Sequence, residues 1–272
     1  MFHTDKSKKS QAVALKDLNK IQSTEQLLSQ EKRRSLLTQI QQHCALEDAR
    51  FKSLVQGLLD NLVTYVQSLP ETQNSFYSKA GGLLDHALHR TEAALELFNQ
   101  ILLLDSDKQP SEDQKLWQYA LLSAGLLKGL GKLYDEYEIN LYDGHGQWLK
   151  KWNPLHESLS SLGKYYDYVM QAEGDPQFRK RLNLLLARQI IPSSGFSWIA
   201  SNRQVFAIWL ALLNEDLAGA GTLGDILSRA DALALQRYFQ EWLIQLNSNR
   251  GGFAGRGSGK PPRLLFNWIS HS

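Results

Sequence analysis

Apolar residues recur at a period near 3.6 through most of this chain, and the polar breaks between those stretches fall where helix starts are signalled. The pattern predicts helices near 23–43, 47–67, 82–104, 112–134, 176–190, 202–214, 222–229 and 230–246. At Ser23 with Gln26, Ser111 with Gln114, Ser201 with Gln204 and Thr222 with Asp225, a hydroxyl residue is followed three positions later by Gln or Asp. Such pairs satisfy the free amide groups of a first helical turn. Asp175-Pro176 announces a further start, because the proline ring pre-sets the backbone angle of a first helical position.

One stretch departs from the helical period. Over 138–170 the turn formers Asp143-Gly144 and Gly146 are flanked by β-prone Ile139, Tyr142 and Trp148, which predicts a small hairpin near 138–152. The expected class is all-α, a helical bundle with a small β-hairpin insertion. Residues 248–263 carry five glycines and two prolines, the composition of a flexible linker. Beyond them stand Leu264, Leu265, Phe266, Trp268 and Ile269, an apolar patch suited to docking on a partner or on its own domain. Three parts follow: a basic arm over 1–20, a helical domain over 21–247, and a Gly/Pro-rich basic tail over 248–272.

With 272 residues, 43% of them hydrophobic, the chain can bury a substantial core. A formal net charge of +2 makes no overall demand for nucleic acid. Locally, Lys6, Lys8 and Lys9 near one end and Arg250, Arg256, Lys260 and Arg263 near the other would suit DNA or an acidic partner. Cys44 is the sole cysteine, which excludes an internal disulfide and a CxxC metal site and leaves it the role of a small hydrophobe. The apolar run at 208–213 is far below the roughly 20 residues of a membrane span. The first residues are lysine-rich without an apolar signal core. A cytoplasmic protein without membrane insertion is expected.

Candidate chemistry lies in two helical phrases, GGLLDHALHRTEAAL over 81–95 and ALLSAGLLKGLGKL over 120–133. Together they resemble the two core helices of HD-type metal-dependent hydrolases, in which the first helix supplies a histidine and the second a His-Asp pair that holds the metal. The further phrases IQSTEQLL, VQSLPETQNSFYSKAGGLLDH, WNPLHESL, ARQIIPSSGFSWI and SRADALALQRYF follow in an order similar to the HD-like domain of MobH-type conjugative relaxases, the TraI-related proteins, over roughly 21–240. The resemblance implies an HD-domain-like bundle and a conjugative setting. It matches His86 to the first motif histidine, Lys128 and Gly129 to the His-Asp pair, and Asp231 to the last aspartate. An ammonium group and a residue without a side chain cannot coordinate a divalent metal. The expectation is a degenerate site with no metal and no cofactor, and with Lys128 and Gly129 facing the pocket.

Plainer readings stand beside these. His86 suits a core histidine bonded to a backbone carbonyl, Asp231 a partner of the local helix dipole, and His89 the surface. Gly81-Gly82 suits a tight turn into a helix, since no GKS or GKT follows as a nucleotide loop requires. Ser193-Ser194-Gly195 lacks the setting of a nucleophile elbow. His145 and His156 lack a paired acid, and Asp135, Glu136 and Glu138 suit a solvated acidic loop. The aromatics from Trp117 to Tyr168 suit the core, with some left as interface anchors. The first functional expectation is a non-catalytic HD-like adaptor or structural component of a type IV secretion or conjugation apparatus. It would be an accessory subunit of a Dot/Icm-type coupling complex, bound to other protein subunits or to a second copy. Two alternatives are kept: a metal-dependent nuclease or phosphohydrolase using His86 and Asp231, and a DNA-binding accessory protein.

Overall fold

The computed structural model describes residues 12–103, 109–172 and 174–250, and helices dominate them. The capping box of Ser23 and Gln26 starts α1 (Thr24–Leu28). The single helix expected over 23–43 then breaks, because Gln30 is extended (ψ 135°) before α2 (Glu31–His43). That break frees the Leu27 carbonyl, which takes a hydrogen bond from Arg33 Nη1 at 2.9 Å. The next predicted helix is present as α3 (Asp48–Arg50), one π-helical segment (Phe51–Gln56) and α4 (Gly57–Val66).

α5 (Gly82–Leu102) and α6 (Glu112–Leu127) form the centre, α6 opening on the Ser111–Gln114 capping box. The helix expected over 112–134 stops early: Lys128 is its C-cap with ψ 136°, Gly129 follows at φ +78°, and a short α7 (Lys132–Asp135) resumes. A left-handed glycine at this point is a common helix stop. After the strands come α8 (Pro176–Ile190), an unexpected α9 (Ser193–Ala200), α10 (Arg203–Leu213) and α11 (Leu217–Arg250). The cap of α10 is Asn202 rather than Ser201, its side chain accepting from Gln204 and Val205 amides. The two helices expected over 222–229 and 230–246 are one continuous part of α11, interrupted only at Gly221 (φ 55°). Asp216, not Thr222, holds its first turn, accepting from the Gly219 amide at 2.9 Å.

The predicted hairpin is part of a larger antiparallel sheet. β2 (Tyr137–Tyr142) pairs with β3 (Trp148–Lys151) across the Asp143–Gly146 turn and on its other side with β4 (Tyr165–Met170), and β1 (Asn19–Lys20) pairs with β4. The order is β1-β4-β2-β3. The last residues of the basic arm are thus tied to the sheet, with Val13 N also bonded to Gly146 O at 2.9 Å. The class is therefore mostly helical with a four-stranded antiparallel sheet, a correction to an all-α bundle carrying a hairpin alone.

α6 is covered on every side: Leu121, Leu122, Ala124, Leu126 and Leu127 expose nothing. Each such leucine contributes about 1.5–3 kcal/mol by burial. α6 and α5 approach closely at Gly125, where a Cβ would stand 2.9 Å from Thr91 Oγ1. Trp209 of α10 is bonded to Ser123 of α6 at 3.0 Å, and α11 lies along α5. The framework fixes the α6–α7 junction against α5, α8 and α11, and a cavity opens there.

Candidate functional site

The cavity has a volume of about 390 Å³. Its position follows from the α6 stop. Beyond Gly129 the Leu130 amide is held by buried Asn183 Oδ1 at 2.8 Å, while Asn183 Nδ2 donates to Leu213 O at 2.9 Å. One side chain of α8 thereby ties the junction to the end of α10. Gly131 has no room for a Cβ against the Arg179 carbonyl.

Lys128 and Gly129 line the cavity together with His86, Arg90 and Asp231. The Lys128 ammonium pairs with Asp231 Oδ2. Arg90, one turn beyond His86 on α5, pairs with Asp231 Oδ1 at 3.2 Å and donates to the Gly125 carbonyl at 2.8 Å. Two protein cations thus converge on one carboxylate. Burial acts to raise the Asp231 pKa, but Arg90, His86 and Lys128 outweigh it and hold the carboxyl well below the usual range. Asp231 lies inside α11, away from its start, so the helix-dipole reading is corrected.

A second ion-paired group faces it. The loop 67–81 delivers Glu71, whose amide is bonded to the Tyr77 carbonyl at 2.8 Å. Lys132 Nζ reaches Glu71 Oε1 at 2.7 Å and the Glu71 carbonyl at 2.9 Å. Burial works against ionisation of Glu71, yet His86 and Lys132 beside it bring its pKa down to about 2. Glu136 is buried and paired with Arg179, with Lys132 at 3.9 Å, which corrects the solvated-loop reading of that residue. Lys180 and Glu215 stand 3.9 Å apart at the rim.

His86 lies between the two carboxylates, Nδ1 at 3.7 Å from Glu71 and Nε2 at 3.5 Å from Asp231. Both nitrogens are buried and neither makes a hydrogen bond, so the expected bond to a backbone carbonyl is absent. Its ring stacks on Tyr77, centroids 4.5 Å apart and planes 9° apart. His89 is the better satisfied of the two. Expected on the surface, it is 8% exposed, and its Nδ1 meets the Tyr77 hydroxyl at 2.8 Å. That hydroxyl also lies 2.9 Å from Ala234 O of α11. Burial lowers the pKa of His89, outweighing the nearby Glu241 and Asp85 carboxylates that act to raise it.

The donor set does not fit a divalent metal. Among the described residues no three His, Cys, Asp or Glu side chains form a group that could hold one. The positions that the resemblance gives to a His-Asp pair instead present a cation and a bare backbone, and the cation is already on Asp231. Gly129 has open space around its missing Cβ.

Other sequence candidates lie elsewhere. Gly81, left-handed at φ +79°, and Gly82, which has no room for a Cβ against the Tyr77 carbonyl, turn the chain into α5. Ser193 and Ser194 are exposed on the first turn of α9, His145 lies in the hairpin turn, and His156 is exposed. Cys44 caps α2, burial pushing its thiol up to about 11. Tyr119, Tyr137, Tyr142, Trp152 and Tyr166 are buried, while Tyr134 and Trp148 are exposed. Leu264, Leu265, Phe266, Trp268 and Ile269 lie outside the described residues, as do Lys6, Lys8, Lys9, Arg256, Lys260 and Arg263. Sequence reasoning missed Arg90, Glu71, Lys132, Arg179 and Asn183. Arg90, Glu71 and Lys132 stand inside the quoted phrases, Arg90 one turn after His86 on the motif helix, whereas Arg179 and Asn183 left no signal.

No helix among the described residues is long and apolar enough to cross a membrane. No curated protein matches the chain significantly. A family model does match, over residues 18–256, and it covers the stretch on which the TraI-related resemblance rests. The chain belongs to the TraI_2 family, whose description reads "Putative helicase".

Proposed function

We propose that this chain is a non-catalytic, HD-like structural component of a conjugation or type IV secretion apparatus, working through contacts with other protein subunits. The observation that carries this reading is the double hold of Lys128 and Arg90 on Asp231. A hydrolytic metal centre needs carboxylate charge left free for the cation. Here the three carboxylates lining the cavity, Asp231, Glu71 and Glu215, are each ion-paired from within the chain, by Lys128 with Arg90, by Lys132 and by Lys180. A side chain that supplies its own ammonium where the resemblance has a metal-holding residue keeps α6 fastened to α11 and gives up Lewis-acid chemistry. TraI-family membership supports the conjugative setting. A helicase activity of the usual kind would call for a nucleotide-binding loop, and the sequence carries no GxxxxGK[ST].

The test uses the full chain purified from its host. The reading expects it in a stoichiometric complex with protein subunits of the transfer machinery, and no turnover of single-stranded DNA or phosphodiesters with Mg²⁺, Mn²⁺ or Zn²⁺. Turnover that depends on one of these ions and disappears in His86→Ala would overturn it in favour of a metal-dependent nuclease.

A further inference from the structure

α8 has an inner and an outer face. Inward, Leu182, Leu186, Ala187 and Ile190 are buried. Outward stands the row Phe178, Arg181, Leu185 and Arg188, spaced three, four and three residues, which runs about 15 Å along the helix. Phe178 is 42% and Leu185 59% exposed, and no other leucine, isoleucine or phenylalanine of α8 is exposed. Large apolar exposure on this helix is therefore confined to the row. Tyr134 of α7, itself exposed, widens it, its ring meeting that of Phe178 edge-on with centroids 6.2 Å apart.

The row is also basic. α8 carries Arg179, Lys180, Arg181 and Arg188 and no acid. Glu136 and Glu215 take up Arg179 and Lys180. Arg181 and Arg188, both exposed, have no carboxylate partner among the described residues, and Arg188 lies over the Phe196 ring at 4.2 Å. Cations left open beside exposed apolar side chains suit a partner that brings the acids.

We propose that this outer face of α8 docks an acidic segment of another protein subunit, with apolar side chains of that segment on Phe178 and Leu185 and its carboxylates on Arg181 and Arg188. The proposal rests on the reading that the chain works through contacts with protein subunits, and it names the surface and the chemistry of one such contact. Charge argues against a second copy. Two such faces meeting about a twofold axis would set arginines against arginines with no acid between them. A nucleic acid would engage the arginines but leave Leu185 against a polar, charged ligand. A membrane surface would need a longer apolar stripe than two side chains.

Photo-cross-linking in the host tests this on the full chain, with p-benzoylphenylalanine in place of Leu185 and, separately, of Phe178, and with the cross-linked peptide sequenced by mass spectrometry. Both positions are expected to join the same protein subunit, in a segment that holds more acids than bases. Arg181→Glu with Arg188→Glu should lower the yield roughly tenfold, and lysines in place of the acids of that segment should restore it. All the altered positions of α8 are exposed, and unchanged far-UV circular dichroism checks that the helix persists. A cross-link to nucleic acid, to a second copy or to a segment without an excess of acids overturns the proposal, as does a yield that charge reversal leaves unchanged. If the complex is recovered intact and neither position cross-links, the proposal fails while the reading of the chain as a structural component stands. If the chain is recovered alone, both fail.

Discussion

α11 is fastened to α5 at two ion-paired regions about two helical turns apart, and they are built in opposite senses. At the first, α11 supplies an acid, Asp231, to the cations Arg90 and Lys128. At the second it supplies a cation, Arg237, to the acids Glu92 and Glu96 of α5, with His43 of α2 3.6 Å from Glu92. The second region joins the same helices with ion pairs whose residues do not line the cavity. The first performs the same fastening and additionally borders a cavity of about 390 Å³ beside a histidine with two unsatisfied ring nitrogens. Fastening explains neither the cavity nor that histidine. On the proposed reading both belong to the outline of a site in which a lysine stands where a metal-holding residue would be.

The largest effect should come from removing the acid at the first region. Asp231→Ala strands two largely buried cations, and urea unfolding should show a loss of about 3 kcal/mol. Arg237→Ala strands Glu92, but Arg237 is one-third exposed, so a loss of about 1–2 kcal/mol is expected. Equal losses would show that the two regions are energetically alike and weaken the distinction between them.

Acidity probes the first region further. The folded pKa values of Asp231 and Glu71 lie below their ordinary values of 3.8 and 4.5. Their contribution to stability is therefore complete above about pH 4.5 and lost as pH falls, through about 2 for Glu71 and lower for Asp231. Lys128→Met removes one source of the Asp231 depression. Its stability should fall less steeply between pH 4.5 and 2 than that of the natural protein, as followed by thermal unfolding across that range.

The smallest effect concerns the two histidines flanking Tyr77. His89→Phe forfeits the bond to the Tyr77 hydroxyl and should cost about 1 kcal/mol. His86→Phe keeps the stack and loses no hydrogen bond, only the longer contacts of 3.7 Å to Glu71 and 3.5 Å to Asp231, so its cost should be below that of His89→Phe. The reverse order in denaturant unfolding would mean that His86 is held by its neighbouring carboxylates more strongly than its distances suggest.

What was legible in the sequence was the local part. The capping boxes at Ser23 and Ser111, the Asp175-Pro176 start of α8 and the hairpin turn depend on neighbours in the chain, and the structure has them. The errors arose where tertiary contacts decide. Lys128 and Gly129 interrupt the apolar period of 120–133: Gly129 favours a stop locally, and the packing of Asn183 and Arg179 against that junction fixes the break there. β4 escaped notice because its alternation is concealed by the run Tyr165-Tyr166, and β1 is only two residues long. At the site, the motif spacing brought out His86, Lys128, Gly129 and Asp231. Of their partners, Glu71 and Lys132 stand inside the same phrases without a marked role, and Arg179 comes from α8, outside any of them.

The central claim, that a lysine stands in place of a divalent cation, is tested most directly by calorimetric titration of Mn²⁺ and Zn²⁺ into the natural protein and into Lys128→His with Gly129→Asp. Open space at Gly129 leaves room for the new carboxylate, and aspartate tolerates the left-handed backbone there better than most residues. The account predicts no stoichiometric binding by the natural protein, and about one equivalent by the double variant that disappears when His86→Ala is added. One equivalent bound by the natural protein and lost on His86→Ala would contradict it.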